Sequence, residues 1–471
     1  MDALISLSAK QLIELIKNKK ISCKELMETY LSRITHVNPK LNAIVQQLSP
    51  EQALKQANMA DSVIANGGKI GKLHGIPITI KDGRKVKGFL CSYGNLSSFN
   101  KIAEEDATVV ARLLAEGAIV IGITNIPDFS MTYETENLLY GRTHNPYDLD
   151  RSPGGSSGGE AAIIAAGAST FGIGADSGGS IRQPAHNCGI AGLKPTRGLI
   201  PGTGKFPEDG LGIFSLIETQ GPLARWVEDL IYTLPILAGT DDSDPNIYPI
   251  AVRDPAKVDL KKLRIVYYTK NGVATPRDDI IETIENAAHV LTKEVFNIEN
   301  NYPIIKKENY TAFEELFFYG GDKGKWLFDR MEKMGVKEIA PPFQALLNVA
   351  QQCEFSVTEV RNRLMALEQF KIQMMHFMNA YDVILCPVAT LPARSYTQTE
   401  NTEKFSLSHD LTYNLPFNIT GWPAAVVRCG TSKEGLPIGI QIIAKSWRDD
   451  IVLAVAKRLE EIFGGWRLPK I

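Results

Sequence analysis

Gly154-Gly155-Ser156-Ser157-Gly158-Gly159 opens a helical run to Ala168, Phe171-Gly172-Ile173-Gly174 reads as a short strand, and Asp176-Ser177-Gly178-Gly179-Ser180-Ile181-Arg182 follows. Between Arg151 and Arg197 stand eleven of the chain's 39 glycines. Glycine permits close backbone approach and dihedrals denied to other residues. A flexible linker would not be threaded through a helix and a strand. The two serine-centred loops therefore read as built parts of an α/β frame, with backbone N–H groups and hydroxyls gathered around one place.

The same alternation extends outward. Ile76-Pro77-Ile78-Thr79-Ile80 reads as a strand ending at Lys81. Asp106 to Glu116 reads as a helix capped by Asp106 and closed by Gly117, followed by a buried strand over Ala118 to Ile123. Further elements are expected at Ile181–Cys188, Trp226–Ala238, Leu263–Tyr268, from about Arg277, and at Val383–Cys386, Ala424–Arg428, Ile438–Ile443 and Asp449–Ile462. Before them, Ser8 and Ser22 cap two amphipathic helices, and a third spans Pro50 to Ala65. The expected fold class is α/β: one large domain over residues 1–471, a mixed β-sheet core flanked by helices on both faces, with an N-terminal helical layer to about residue 70. Glu299 to Ala340 is expected to form a helical cap, and the polar stretch Arg394 to Asp410 a surface loop.

Composition narrows the function. With 51 basic and 53 acidic side chains and no run of like charge, nucleic acid is not an expected partner. The six cysteines form no CxxC pair and suit single thiols in a reducing compartment. No histidines stand at metal-binding spacing, so neither metal nor other cofactor is expected. The N-terminus lacks a signal-peptide pattern, and no run of about 18 apolar residues predicts a transmembrane segment. A soluble cytoplasmic protein is the expectation, and a homodimer is compatible with the sequence.

Three readings of the serine-bearing motifs fit poorly. A phosphate-binding loop needs Gly-Lys-Ser/Thr at its end, whereas Gly159 precedes Glu160. Gly154, Ser156 and Gly158 match a hydrolase nucleophile elbow, with Asp382 and His409 as available partners; that elbow requires a strand before the serine, and Ser152-Pro153 is a poor strand end. Ser98-Phe99-Asn100-Lys101 matches SxxK without its companion SDN and KTG motifs.

A serine–serine–lysine arrangement remains. Ser152 to Glu160, Gly174 to Pro184 and Gly192-Leu193-Lys194-Pro195-Thr196 resemble the amidase signature family. Gly75 to Asp82, Gly221 to Asp229, Pro416 to Pro423 and Gly435 to Gln441 resemble further family segments in family order. The somewhat closer likeness of Asn125 to Tyr147 is to fatty acid amide hydrolase-like members. The resemblance implies Ser180 as nucleophile, Ser156 as bridging serine and Lys81 as base. It implies an oxyanion hole from the backbone N–H groups of Ser177, Gly178, Gly179 and Ser180, and a cis peptide bond at Gly155-Ser156. The chemistry is coherent, since a serine hydroxyl needs a base and a lysine can serve once desolvation holds it neutral. Asp176 and Arg182 are expected to brace the loop, and Cys188 to be a small buried residue. Where the family often has Asn after the Lys-Asp pair, this chain has Gly83, a change in a turn that leaves the three catalytic positions intact.

The implied partner is a small-molecule amide. Ser130, Met131 and Thr132 fall where related amidases line the acyl pocket, and Phe129, Met131 and Tyr133 suggest an apolar or aryl acyl group, with ester cleavage as a second capacity. The alternative within the family is the glutaminase A subunit of a tRNA-dependent amidotransferase.

Overall fold

Ser8 and Ser22 each accept a bond from the backbone N–H three residues on, and Gln11 and Glu25 reach back to the cap N–H, closing two capping boxes. These fix the starts of helices Ala9–Lys17 and Cys23–Leu41; helix Pro50–Ala65 follows behind Ser49. The computed structural model describes residues 2–97, 101–205, 212–396 and 408–471. The SxxK match, through Ser98, lies outside the described residues.

Beyond the N-terminal helices runs a mixed sheet with eleven strands among the described residues. They are β1 (Ile44–Gln47), β2 (Pro77–Lys81), β3 (Ile119–Thr124), β4 (Phe171–Asp176), β5 (Ala191–Lys194), β6 (Thr219–Ala224), β7 (Arg264–Tyr267), β8 (Asn297–Asn300), β9 (Val383–Pro387), β10 (Ala424–Thr431) and β11 (Pro437–Ala444). Their order is β1-β3-β2-β4-β6-β5-β10-β11-β9-β7-β8. β2 runs parallel to β3 and β4, β7 runs parallel to β8 and β9, and the other neighbouring pairs are antiparallel.

Successive side chains of a strand face opposite sides of a sheet. Accordingly Ile265, Leu385, Ala425 and Ile442 enter one core, while their neighbours Val266, Ile384, Ala424 and Ile443 enter another. The first core holds the N-terminal helices, helix Gly158–Ala165 and the C-terminal helix Asp449–Phe463. The second lies under the helices Lys307–Glu314, Lys325–Met334, Pro341–Ala350, Val357–Phe377 and Ser408–Ile419. This is the α/β architecture with helices on both faces. Among the described residues no helix is long and apolar enough to cross a membrane.

Several local expectations change. The helix placed over Asp106 to Glu116 spans Thr108–Ala115 with no side-chain cap, because Asp106 accepts the backbone N–H of Lys87 instead (2.7 Å). Asp410, read as loop, sits in helix Ser408–Ile419, while residues 397–407 lie outside the described set. β6 carries Gly221 and Pro222, breakers that hide a strand. Its ladder to β5 covers only Leu223 and Ala224, so Pro222 falls where that pairing has ended. Gly221 is required by proximity: a Cβ there would lie 2.1 Å from the carbonyl oxygen of Leu193. Gly221→Ala is therefore expected to destabilise the protein by about 1–3 kcal/mol, since a backbone atom cannot swing aside. Urea unfolding measures this, and an unchanged midpoint would mean that β5 and β6 separate there without cost.

Candidate active site

β2 delivers Lys81. Its strand lies between β3 and β4 and is buried at every position, so the ammonium-bearing side chain ends 0 % exposed. Lys81 Nζ donates to Ser156 Oγ (2.8 Å) and Ser157 Oγ (3.0 Å). Burial pushes its pKa well below the ordinary lysine value, and the Arg84 guanidinium adds to the depression; Asp176, Glu160 and Asp82 oppose it without prevailing. The chain turns immediately after the lysine because the Asp82 carboxylate accepts the N–H groups of Gly83 (2.6 Å), Ser92 (3.1 Å) and Gly94 (3.2 Å), and the Ser92 hydroxyl. Gly83 has φ +88°, and a Cβ there would lie 2.6 Å from the Tyr93 ring. The departure from the family's Asn at this position thus accommodates a local aromatic.

Ser156 follows a cis peptide bond from Gly155. Gly155 N–H donates to Gln183 Oε1 (3.1 Å), and Thr135 Oγ1 donates to the Gly154 carbonyl (2.7 Å). Gly155 itself faces the backbone of Thr132 and Tyr133, where a Cβ would stand 2.6 Å from the Thr132 oxygen. Ser156 Oγ also accepts a bond from Ser130 Oγ (2.7 Å).

Ser180 sits on the loop between β4 and helix Arg182–Cys188. Asp176 organises this loop. Its carboxylate accepts Arg182 Nε (2.9 Å) and Nη2 (2.8 Å), Asn418 Nδ2 (2.9 Å), and the N–H groups of Gly179 (2.7 Å) and Ile181 (3.1 Å). Burial alone would raise the Asp176 pKa, but Arg182 outweighs it and holds the carboxyl well below its usual range. The geometry matches the expectation that this pair braces the loop through hydrogen bonds. The N–H of Gly179 is engaged by Asp176, which leaves Ser177, Gly178 and Ser180 as the backbone amides of the loop without a hydrogen-bond acceptor among the described residues. Gly179 has φ +117° and abuts Asn414, where a Cβ would stand 2.8 Å from its Cγ.

Ser130, Ser156, Ser177, Gly178 and Ser180 line one cavity. No hydrogen bond joins the Ser156 and Ser180 side chains among the described residues; they share the cavity and a backbone link, Ser157 N–H to the Ser180 carbonyl (3.3 Å). Met131 and Thr132 line the same cavity, with Thr132 Oγ1 donating to the Glu134 carbonyl (3.1 Å). Aromatic walls come from Tyr93, Phe129, Phe214, Phe318 and Trp326, and Met131, Phe214, Phe318 and Trp326 continue into an adjoining pocket beneath the cap helices. Sequence reasoning does not single out Phe318 or Trp326, although the run Leu316-Phe317-Phe318-Tyr319 is a usable signal. Nor does it foresee the buried Arg84, or the ion pair of Lys205 with Glu218 on the cavity wall. Cys188 is fully buried, and burial pushes its thiol pKa up, in keeping with a packing role.

The elbow reading finds no support. No strand immediately precedes Ser156, and Asp382 is engaged by Arg264 (3.0 Å) at the start of β7. His409 lies on helix Ser408–Ile419.

The Amidase family model matches residues 25–453. The chain is 32 % identical to fatty-acid amide hydrolase 2 of Homo sapiens, covering 99 % of this chain and 91 % of that protein. It is 33 % identical to the A subunit of glutamyl-tRNA(Gln) amidotransferase from Caldanaerobacter subterraneus subsp. tengcongensis, covering 98 % and 97 %. Among solved structures, 6-aminohexanoate cyclic dimer hydrolase superposes with a TM-score of 0.85 at 26 % identity over 99 % of both chains. A fatty acid amide hydrolase superposes with a TM-score of 0.88 at 24 % identity, over 98 % of this chain and 86 % of that one, a likeness of fold. With the family matched over almost the whole sequence, the chain belongs to the amidase signature family and is an amide-cleaving enzyme.

Proposed function

We propose that the chain is a serine amidohydrolase acting through an acyl-enzyme on Ser180, with Lys81 as base through Ser156, and that its substrate is an amide with an apolar or aryl acyl group. The observation that carries the reading is the contact of a fully buried Lys81 with Ser156 (2.8 Å) on the cavity that also holds Ser180. A lysine whose pKa is depressed by burial supplies a neutral amine, which is what a base requires.

In the attack step the Ser180 Oγ–H proton passes to Ser156 Oγ as the Ser156 proton passes to Lys81 Nζ. The Ser180 oxygen bonds to the carbonyl carbon, and the carbonyl π pair moves onto oxygen. In this reading the N–H groups of Ser177, Gly178 and Ser180, which have no acceptor among the described residues, donate to that oxyanion; one such donor typically contributes about 3 kcal/mol. Gly179 supports them from behind through its bond to Asp176. On collapse the carbon–nitrogen bond breaks, Ser156 protonates the departing amine, and Lys81 returns its proton to Ser156. Water then attacks the acyl-enzyme by the same relay.

The aromatic cavity and its continuation under the cap favour a hydrophobic acyl chain or ring. The amidotransferase reading draws on relatives of nearly equal identity. It requires glutaminase activity, so a panel of anilides of graded acyl length assayed beside glutamine separates the two. The expected outcome is turnover that rises with apolar acyl size and no release of ammonia from glutamine; the reverse would select the amidotransferase role.

A fluorophosphonate probe is expected to label the protein at Ser180. Ser180→Ala should abolish the label and lower amide turnover by roughly 10⁴-fold or more. An intact protein that takes no label would sink the reading.

The pH dependence has a definite sign. Lys81 acts when neutral, so kcat/KM is expected to fall as pH is lowered through its depressed pKa, and to stay high at pH values where an ordinary lysine is already protonated. Lys81→Met should lower kcat/KM by on the order of 10² to 10⁴ and remove that acid limb. A limb that persists in the variant would assign it to another group.

A further inference from the structure

The sequence predicts Ser130 as a contact of the acyl group. On the cavity wall its hydroxyl also meets Ser156 Oγ at 2.7 Å, on the same oxygen that receives Lys81 Nζ at 2.8 Å. A hydroxyl oxygen has two lone pairs and one O–H. With Lys81 and Ser130 both donating, the two lone pairs are occupied, and the Ser156 O–H is left the remaining tetrahedral direction. Ser156 and Ser180 border the same cavity.

The backbone around Ser130 is built for this placement. Phe129 and Ser130 have φ of +52° and +61°, two consecutive left-handed residues without a glycine. L-residues adopt that region rarely, so the surroundings must hold it. Asp128 Oδ2 accepts the Ala340 N–H (2.9 Å), Phe129 N–H donates to the Tyr93 carbonyl (3.2 Å), and Ser130 N–H donates to the Pro127 carbonyl (2.9 Å). The buried Phe129 ring packs against Phe343 with centroids 5.0 Å apart. A glycine at Ser130 would take this conformation more readily, yet the position carries a hydroxyl aimed at the bridging serine.

We propose that Ser130 is a positioning residue that, together with Lys81, fills both lone pairs of Ser156 and so directs the Ser156 O–H toward the departing amine. The inference rests on the Ser180–Ser156–Lys81 reading above. It applies to collapse of the tetrahedral intermediate, when Lys81 is an ammonium: the carbon–nitrogen bond breaks, the nitrogen takes the Ser156 proton, and Lys81 replaces it. Ser130 gives up no proton and only orients the donor. An amine leaving group needs that proton, whereas p-nitrophenolate departs without one, so the two leaving groups report on Ser130 differently.

The experiment compares kcat/KM for an anilide and the p-nitrophenyl ester of the same acid in the wild type, Ser130→Ala and Ser130→Gly. Loss of one hydrogen bond in the transition state is expected to lower anilide cleavage about tenfold in both variants and ester cleavage about twofold, through kcat with KM held. Equal losses on anilide and ester, a rise in KM at constant kcat, or wild-type anilide cleavage by Ser130→Gly would overturn the inference; the last would show that only the backbone conformation matters. Fluorophosphonate labelling of Ser180 in the wild type is run alongside. Its absence would remove the underlying relay, whereas normal labelling with an unchanged anilide-to-ester ratio would reject the role of Ser130 alone.

Discussion

The ion pair between Asp176 and Arg182 is fully buried, and the loop that carries Ser180 is wrapped around it. Two charges in a protein interior are tolerated only when the remaining lone pairs and protons are used. Here they are. Arg182 reaches the Asn414 carbonyl (3.0 Å), Asn418 Oδ1 (2.5 Å) and Gln441 Oε1, while Asp176 takes two backbone N–H groups of the loop besides the guanidinium. Such a pair adds little net stability as a unit, but removal of one partner strands a buried charge at a cost of about 3–5 kcal/mol. Its contribution is to geometry. It connects β4, the helix Ser408–Ile419 and β11, three segments distant in sequence, and it fixes which loop amides face the carboxylate and which do not. The segments Pro416 to Pro423 and Gly435 to Gln441 thus matter through Asn418 and Gln441, which hold the loop from behind.

A second constraint concerns charge around Lys81. The residue must be buried to be neutral, yet carboxylates close by would restore its proton. The surrounding side chains limit that pull. Glu160 lies beneath the strand, with Thr79 and Thr124 (2.8 Å) donating to it, and burial still raises its pKa to about 7. Asp176 is matched by Arg182, and Asp82 is occupied by the turn that follows the lysine. Arg84, buried three residues downstream and bonded to Gln220 Oε1 (3.0 Å) and the Asp82 carbonyl (3.3 Å), places a cation where it opposes protonation of Lys81. The Lys81 pKa is therefore set by the balance of these neighbours as well as by the burial of the strand that bears it.

How much of this can be read from the sequence depends on whether a residue's neighbours are close in the chain. The capping boxes at Ser8 and Ser22, the strand ending at Lys81 and the paired roles of Asp176 and Arg182 are local or carried by contiguous motifs, and they are legible. β5 and β6 are not, because Gly192, Gly221 and Pro222 erase the apolar alternation that marks a strand; only close packing of the two backbones explains Gly221. The Asp106 cap fails on a distant partner too, as its carboxylate is taken by the N–H of Lys87, nineteen positions away. The partnership of Ser130 with Ser156 joins residues 26 positions apart through a left-handed turn, and no periodicity encodes it.

The two groups of relatives pose a last physical question, since proteins named for fatty-acid amides and for a tRNA-linked amidotransferase share about a third of their residues with this chain alike. The answer lies in where the parts of the site come from. Lys81, Ser156 and the Asp176–Arg182 loop sit on or beside central strands packed on both faces, where a changed volume or a lost partner is costly. The cavity walls come from elsewhere: Phe318 and Trp326 from the cap, Phe129 and Met131 from the turn that also carries Ser130, and Phe214 from a short helical turn at Gly212–Leu216. These walls stand on loops and cap helices outside the sheet, although Phe129 and Phe318 are themselves buried. Identity averaged over the chain is dominated by the shared frame and is therefore insensitive to the walls of the cavity. Residues of the cap and of the Asp128–Tyr133 turn line the cavity, and on the reading proposed above they, rather than overall similarity, carry the amide preference.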